Sequence, residues 1–155
     1  MQHYIECKVR YDKVMEDGMI KSVTEPYLVD ALSFTEAESR ITDELSLYIQ
    51  GEFNVEAVKK CNASEVLFSD VDEDDKWYKA KLSFISFDEK SGKEKRQSIT
   101  YLVQAQSLEK ALRYVDKFMG KTMIDYVMVG LNETKIMDVF KYESKEDEGK
   151  KDEEK

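Results

Sequence analysis

The 155-residue chain has the length of one ordinary domain, and 41% hydrophobic residues are enough for a buried core, which argues against a disordered chain. There is no run of about 18 apolar residues and no basic segment followed by an apolar stretch, so neither a membrane span nor a signal peptide is expected, and the cytoplasm is the expected location. The formal charge of −9 is uneven: Asp70, Asp72, Glu73, Asp74 and Asp75 form one acidic run, residues 143–155 carry a net −3, and the rest carries only −1. Overall acidity therefore does not exclude an anionic partner.

The first strand alternates, with Ile5, Cys7, Val9 and Tyr11 on one face and Tyr4, Glu6, Lys8 and Arg10 on the other. A turn at Glu16-Asp17-Gly18 leads to a second strand through Tyr27, Val29 and Ala31. Ser33 and Glu36 have the spacing of a capping box. Phe34, Ala37, Ile41, Leu45 and Tyr48 recur at helical spacing, and Gly51 marks the stop. Two further strands, Phe53 to Lys60 and Glu65 to Ser69, are expected to form a hairpin with Asn62 at its turn. The acidic run 70–75 then reads as a solvated connector.

The same plan returns. Tyr78, Ala80, Leu82 and Phe84 face inward while Trp77, Lys79, Lys81 and Ser83 face outward. A turn at Glu89-Lys90-Ser91-Gly92 follows, then a strand through Tyr101, Val103 and Ala105. Ser107 caps a helix carrying Leu108, Ala111, Leu112, Val115, Phe118 and Met119, which Gly120 ends. Tyr126 to Leu131 and Lys135 to Tyr142 close the half, with Asn132 expected at a turn. Tyr27 to Phe34 matches Tyr101 to Leu108 at an offset of 74, and Cys7 to Tyr11 matches Ala80 to Phe84 at 73. Asn62-Ala63-Ser64 aligns with Asn132-Glu133-Thr134 at 70. The expected fold is α+β: internally duplicated ββαββ units forming an antiparallel sheet with two helices packed on one face. One domain spans 1–142, with halves of about 1–69 and 76–142 and the connector at 70–75; residues 143–155 form a charged, disordered tail.

Motifs that carry chemistry are missing: no glycine-rich phosphate loop, HExxH, GxSxG or paired CxxC occurs, and His3 is the only histidine. Cys7 and Cys61 read as free thiols, and the acidic run lacks the Gly and terminal Glu of an EF-hand loop. No catalytic residue, metal or cofactor is expected. The outward faces offer more. Tyr4, Lys8 and Arg10 in one half, with Trp77, Lys79 and Lys81 in the other, interleave rings and bases, and Lys95 and Arg96 extend the charge. Such a surface suits single-stranded nucleic acid, because bases stack on rings while cations track phosphates. The competing reading is an ordinary solvated strand face whose lysines deter aggregation. The functional expectation is a non-enzymatic binding module for single-stranded nucleic acid. The alternative is a protein-interaction or oligomerisation module, with a second copy among its partners; a membrane is not one of them.

Lys8-Val9-Arg10-Tyr11, the run from Glu25-Pro26-Tyr27 to Glu36-Ala37-Glu38, Asp75-Lys76-Trp77-Tyr78-Lys79 and the run Asp88 to Lys95 resemble a family of uncharacterised proteins common in Bacteroidetes and their phages. The resemblance spans about residues 6–142. It implies a phage or mobile-element context and assigns no catalytic or binding residues. The order of strands and helix is also similar to duplicated single-strand-binding folds of the PUR and Whirly types, and to TATA-binding-like folds, some without any nucleic-acid role.

Overall fold

The structure, a computed structural model, describes residues 3–141; the tail expected over 143–155 lies outside them. The elements run β1 (Tyr4–Val14), β2 (Ile20–Asp30), α1 (Phe34–Leu45), β3 (Phe53–Lys60), β4 (Glu65–Leu67), β5 (Lys76–Phe87), β6 (Glu94–Ala105), α2 (Leu108–Met119), β7 (Asp125–Glu133) and β8 (Asp138–Phe140). The protein is α+β. Among the described residues it has two four-stranded, mainly antiparallel sheets, ordered β3-β1-β2-β8 and β4-β6-β5-β7. No helix among those residues is long and apolar enough to cross a membrane.

The described chain divides into two compact units, one of residues 3–61 with 138–141, the other Asn62–Met137. In the first unit the alternation of β1 puts Ile5, Cys7 and Val9 against Tyr27, Val29 and Ala31 of β2, and Ala37, Ile41 and Leu45 of α1 close over them. In the second, Tyr78, Ala80 and Leu82 meet Tyr101, Val103 and Ala105 under Ala111, Val115 and Met119 of α2. Each large aliphatic side chain so buried contributes about 1.5–3 kcal/mol. Ser33 Oγ accepts from the N–H of Glu36 (3.1 Å), and Glu36 reaches back to the N–H of Leu32 (3.0 Å). Ser107 Oγ accepts from the N–H of Lys110 (3.2 Å). Both β hairpins turn through a glycine with positive φ, Gly18 at 83° and Gly92 at 69°.

Several expectations need correcting. There are two sheets, not one, and neither β3–β4 nor β7–β8 forms a hairpin. Instead β4 pairs parallel with β6 (Val66↔Leu102), and β8 pairs parallel with β2 (Val139↔Leu28). The reason is backbone satisfaction: these short strands cover the edges of β6 and β2 that their antiparallel partners leave open. Ser64 N–H donates to the Thr100 carbonyl (2.7 Å), steering the chain onto β6. Asn132 is no turn residue; it lies within β7, opposite Lys79. The first helix stops at Leu45, so Tyr48 is exposed in a following turn instead of packing on the core.

Candidate binding surface

The rings of the expected platform are not presented to solvent. Trp77 is only 2% exposed and packs edge-on against Phe68 with centroids 5.4 Å apart, and Tyr4 is buried as well. Both lie at the start of a long strand, on the sheet face away from the helix, and there that face is apolar too. Leu28 and Val139 are buried on it in one unit, Leu102 and Val66 in the other. Alternation places Tyr4 and Trp77 on the face turned from the helix, as the structure does, but that face is packed here and not wet throughout. A ring without a free face offers no base a stacking surface.

The bases fall into two groups. Lys59 Nζ lies 3.1 Å from Glu6 Oε2. Arg10 reaches Glu56 Oε1 at 3.4 Å and donates through Nε to Ser22 Oγ at 2.8 Å. Lys95 lies 3.8 Å from Asp88, and Arg96 lies 3.4 Å from Glu94. Exposed pairs of this kind stabilise little, but each spends its positive charge on a neighbouring carboxylate. Lys8, Lys79 and Lys81 have no such ion pair among the described residues. The eight platform residues are divided between the units: Tyr4, Lys8 and Arg10 belong to one, Trp77, Lys79, Lys81, Lys95 and Arg96 to the other.

The connector is not uniformly solvated either. Asp74 is 1% exposed, while the other four acids of the run are exposed. Ser69 Oγ and Tyr114 Oη (2.7 Å) both donate to Asp74 Oδ2, and Oδ1 is buried without a well-formed hydrogen bond. Burial alone pushes this carboxyl upward. The hydrogen bonds from Ser69 and Tyr114, the nearby N–H of Gln106 and the Lys110 ammonium outweigh it, leaving the pKa below its ordinary 3.8. Asp74 thus fastens the connector to Tyr114 in the second turn of α2, and its charge lies near the N–H of Gln106 just ahead of the helix, where a negative charge is favoured. Cys7 is a protonated, shielded thiol: burial, then Glu38 and Glu6, push its pKa up to about 11. No three His, Cys, Asp or Glu side chains converge as metal ligands among the described residues.

A surface that sequence reasoning missed lies on β7, an edge strand of its sheet. Val127 is 42% and Val129 66% exposed, and Met123 and Ile124, just ahead of them, are exposed too. Val129 is the extra residue of a β-bulge: Lys81 pairs with Gly130 and Leu82 with Met128. The corresponding bulge on β3 is Glu56, because Lys8 pairs with Ala57 and Val9 with Val55. Where β3 shows Asn54 and Glu56 to solvent, β7 shows Val127 and Val129. The available signal was the unbroken apolar run Tyr126-Val127-Met128-Val129, which suits a strand buried on both faces and here occupies an edge.

Fold and surface together define a two-unit α+β protein with an apolar sheet edge. The chain belongs to the family described as "Domain of unknown function (DUF4494)", which matches residues 3–142. No curated protein matches it, and no solved structure does.

Proposed function

We propose that the chain is a non-enzymatic binding module built from a duplicated ββαββ unit, and that its partner is a protein whose extended segment adds to β7. The observation carrying this reading is the pair of exposed valines on a sheet edge whose counterpart, β3, carries Asn54 and Glu56. Native sheets normally guard their edges with charge, and the other unit does so, with Glu56 in contact with Arg10. Strand addition would satisfy the outer backbone groups of β7 and cover the exposed part of both valines, worth at most about 1 kcal/mol for Val127 and about 1–2 kcal/mol for Val129. Acids stand at both ends of the strand, Asp125 and Glu133, with no base between. Two β7 strands paired antiparallel would set acid against acid, so a foreign strand with basic ends fits better than a second copy.

The duplication is supported by register. Cys7↔Tyr27 corresponds to Ala80↔Tyr101, the bulges after Lys8 and Lys81 correspond, and Val139↔Leu28 mirrors Val66↔Leu102. Each proposed ββαββ unit therefore contributes its last strand to the other's sheet. The cytoplasm, in a phage or mobile-element setting, is the proposed context.

A second reading, contact with single-stranded nucleic acid, draws on Lys8 in one unit or on Lys79 and Lys81 in the other. With Trp77 and Tyr4 buried, it would rest on phosphates alone and be steeply salt-dependent. A photo-crosslinking residue at position 127, and another at position 54, separates the readings in cells expressing the full chain. Protein adducts from 127 and not from 54 are expected. Nucleic-acid adducts, or equal yields from both positions, would refute strand addition at β7; a concentration-dependent dimer abolished by Val129→Lys would replace the foreign strand with a second copy.

A further inference from the structure

On the helix-facing side of the first unit's sheet, Glu25 of β2 is drawn into an aromatic surround. Tyr11 donates to its Oε1 at 2.6 Å and Tyr27 to the same oxygen at 3.4 Å. Tyr27 stacks on Phe140, centroids 6.1 Å apart, and Phe53 pairs opposite Tyr11 across β1 and β3. Asp138 pairs opposite Tyr27 and adds a second carboxylate on that side. The Glu25 side chain is 12% exposed, and among the described residues the ion partner of its Oε2 is the ammonium of Lys13 at 3.8 Å, on a side chain that is itself 45% exposed.

This arrangement is not something the fold requires. In the second sheet the corresponding register positions carry Phe84 for Tyr11 and Ile99 for Glu25, and its core closes with them. This comparison uses the paired registers and does not depend on what binds β7. A carboxylate taken largely out of water is costly unless a cation or donors compensate it. Here one oxygen accepts from two tyrosines, while the other faces a cation at 3.8 Å, on a side chain that is 45% exposed. A partly desolvated carboxylate beside two tyrosines suits an organic cation, which needs no tight shell of oxygen ligands or waters, better than a hydrated metal ion. The tyrosines keep their protons as donors: burial, then the Glu25 hydrogen bond and charge, push Tyr11 up to about 12.

We propose that Glu25, flanked by Tyr11 and Tyr27, is a binding site for an alkylammonium or guanidinium group, with Lys13 as the resident stand-in that a ligand displaces. The group has two sources, a free amine or a Lys or Arg side chain of a polypeptide. Both are tested by following backbone amide resonances of the full chain during titration. One arm uses n-butylammonium chloride, the other a capped pentapeptide of glycines around a single lysine, and n-butanol is the neutral control. Saturable shifts centred on residues 11–13 and 25–27 are expected with the cations and not with butanol. Stronger binding of butylammonium indicates a free amine, and stronger binding of the peptide a side chain. Lys13→Met should tighten binding several-fold by removing the competitor. Glu25→Gln, which still accepts from both tyrosines and so keeps the fold, should weaken it at least about tenfold. The site is refuted if butanol gives the same shifts, if Glu25→Gln binds as well as the native chain, or if neither cation saturates even the Lys13→Met variant.

Discussion

Replacing Asp74 with alanine tests whether the connector is held to α2 or merely passes it. The substitution removes the acceptor of two hydroxyl donors, Ser69 Oγ and Tyr114 Oη, at a site that is 1% exposed. A hydrogen bond to a charged group contributes about 1.5–3 kcal/mol. Tyr114 is partly exposed and can turn to water, so the lower end applies and the expected loss is about 3 kcal/mol. At about 2–4 °C per kcal/mol for a chain of this size, the melting temperature falls by about 6–12 °C. Asp74→Asn keeps an acceptor and should lose about half as much. Circular dichroism melts of both variants, beside Asp72→Ala at an exposed position of the same run, provide the measurement. The native carboxyl sits below its ordinary 3.8, so its stabilisation is fully present above that value and is lost as pH falls through the lower folded value. The gap between native protein and Asp74→Asn should therefore hold at neutral pH and close only in strong acid. A melt of Asp74→Ala no lower than that of Asp72→Ala, or a gap that widens in acid, would refute the anchoring role.

Trp77 is the only tryptophan, and its burial predicts blue-shifted fluorescence that acrylamide quenches only after unfolding; quenching like that of a free indole would contradict the packed ring. Trp77→Ala should cost about 3–5 kcal/mol, so it will be mainly a stability variant, visible as a lower denaturant midpoint. Cys7, fully buried and protonated, should resist iodoacetamide at neutral pH until the chain unfolds; mass spectrometry showing it alkylated in native protein would overturn its placement. Truncation after Met137, compared with truncation after Lys141, removes Val139 and Phe140 from the first sheet and should lower hydrogen-exchange protection along β2. Loss of protection along β7 instead would support the β7–β8 hairpin that local sequence order suggests.

Local patterns were legible because they depend on neighbouring residues. The period-two alternation of Ile5-Cys7-Val9 and Tyr78-Ala80-Leu82 gave the helix-facing sides of both sheets, and Ser33 and Ser107 cap the helices as their side chains suggest. The helix end was less legible: Tyr48 continues the apolar period, yet the core beneath α1 is already closed by Leu45 and Ile49. What alternation does not encode is which outward face stays wet. Tyr4 and Trp77 occupy the same kind of position as Lys8 and Lys81, and only tertiary packing separates buried rings from solvated ammonium groups.

Pairing between distant strands was hidden for a related reason. Glu65–Leu67 and Asp138–Phe140 follow β3 and β7 so closely that a hairpin is the economical reading of the chain. A three-residue strand has too little pattern to choose its own partner; the choice falls to whichever open edge has backbone groups to satisfy. In this protein those edges belong to β6 and β2, which makes each unit depend on a segment encoded next to the other. The same economy accounts for the two surfaces that the sequence concealed. Val127 and Val129 stand out because β7 is an edge, and Glu25 because its register counterpart is Ile99. In a two-unit protein of this kind, positions where one sheet keeps a charge and the other keeps an aliphatic side chain separate what the fold needs from what a ligand needs.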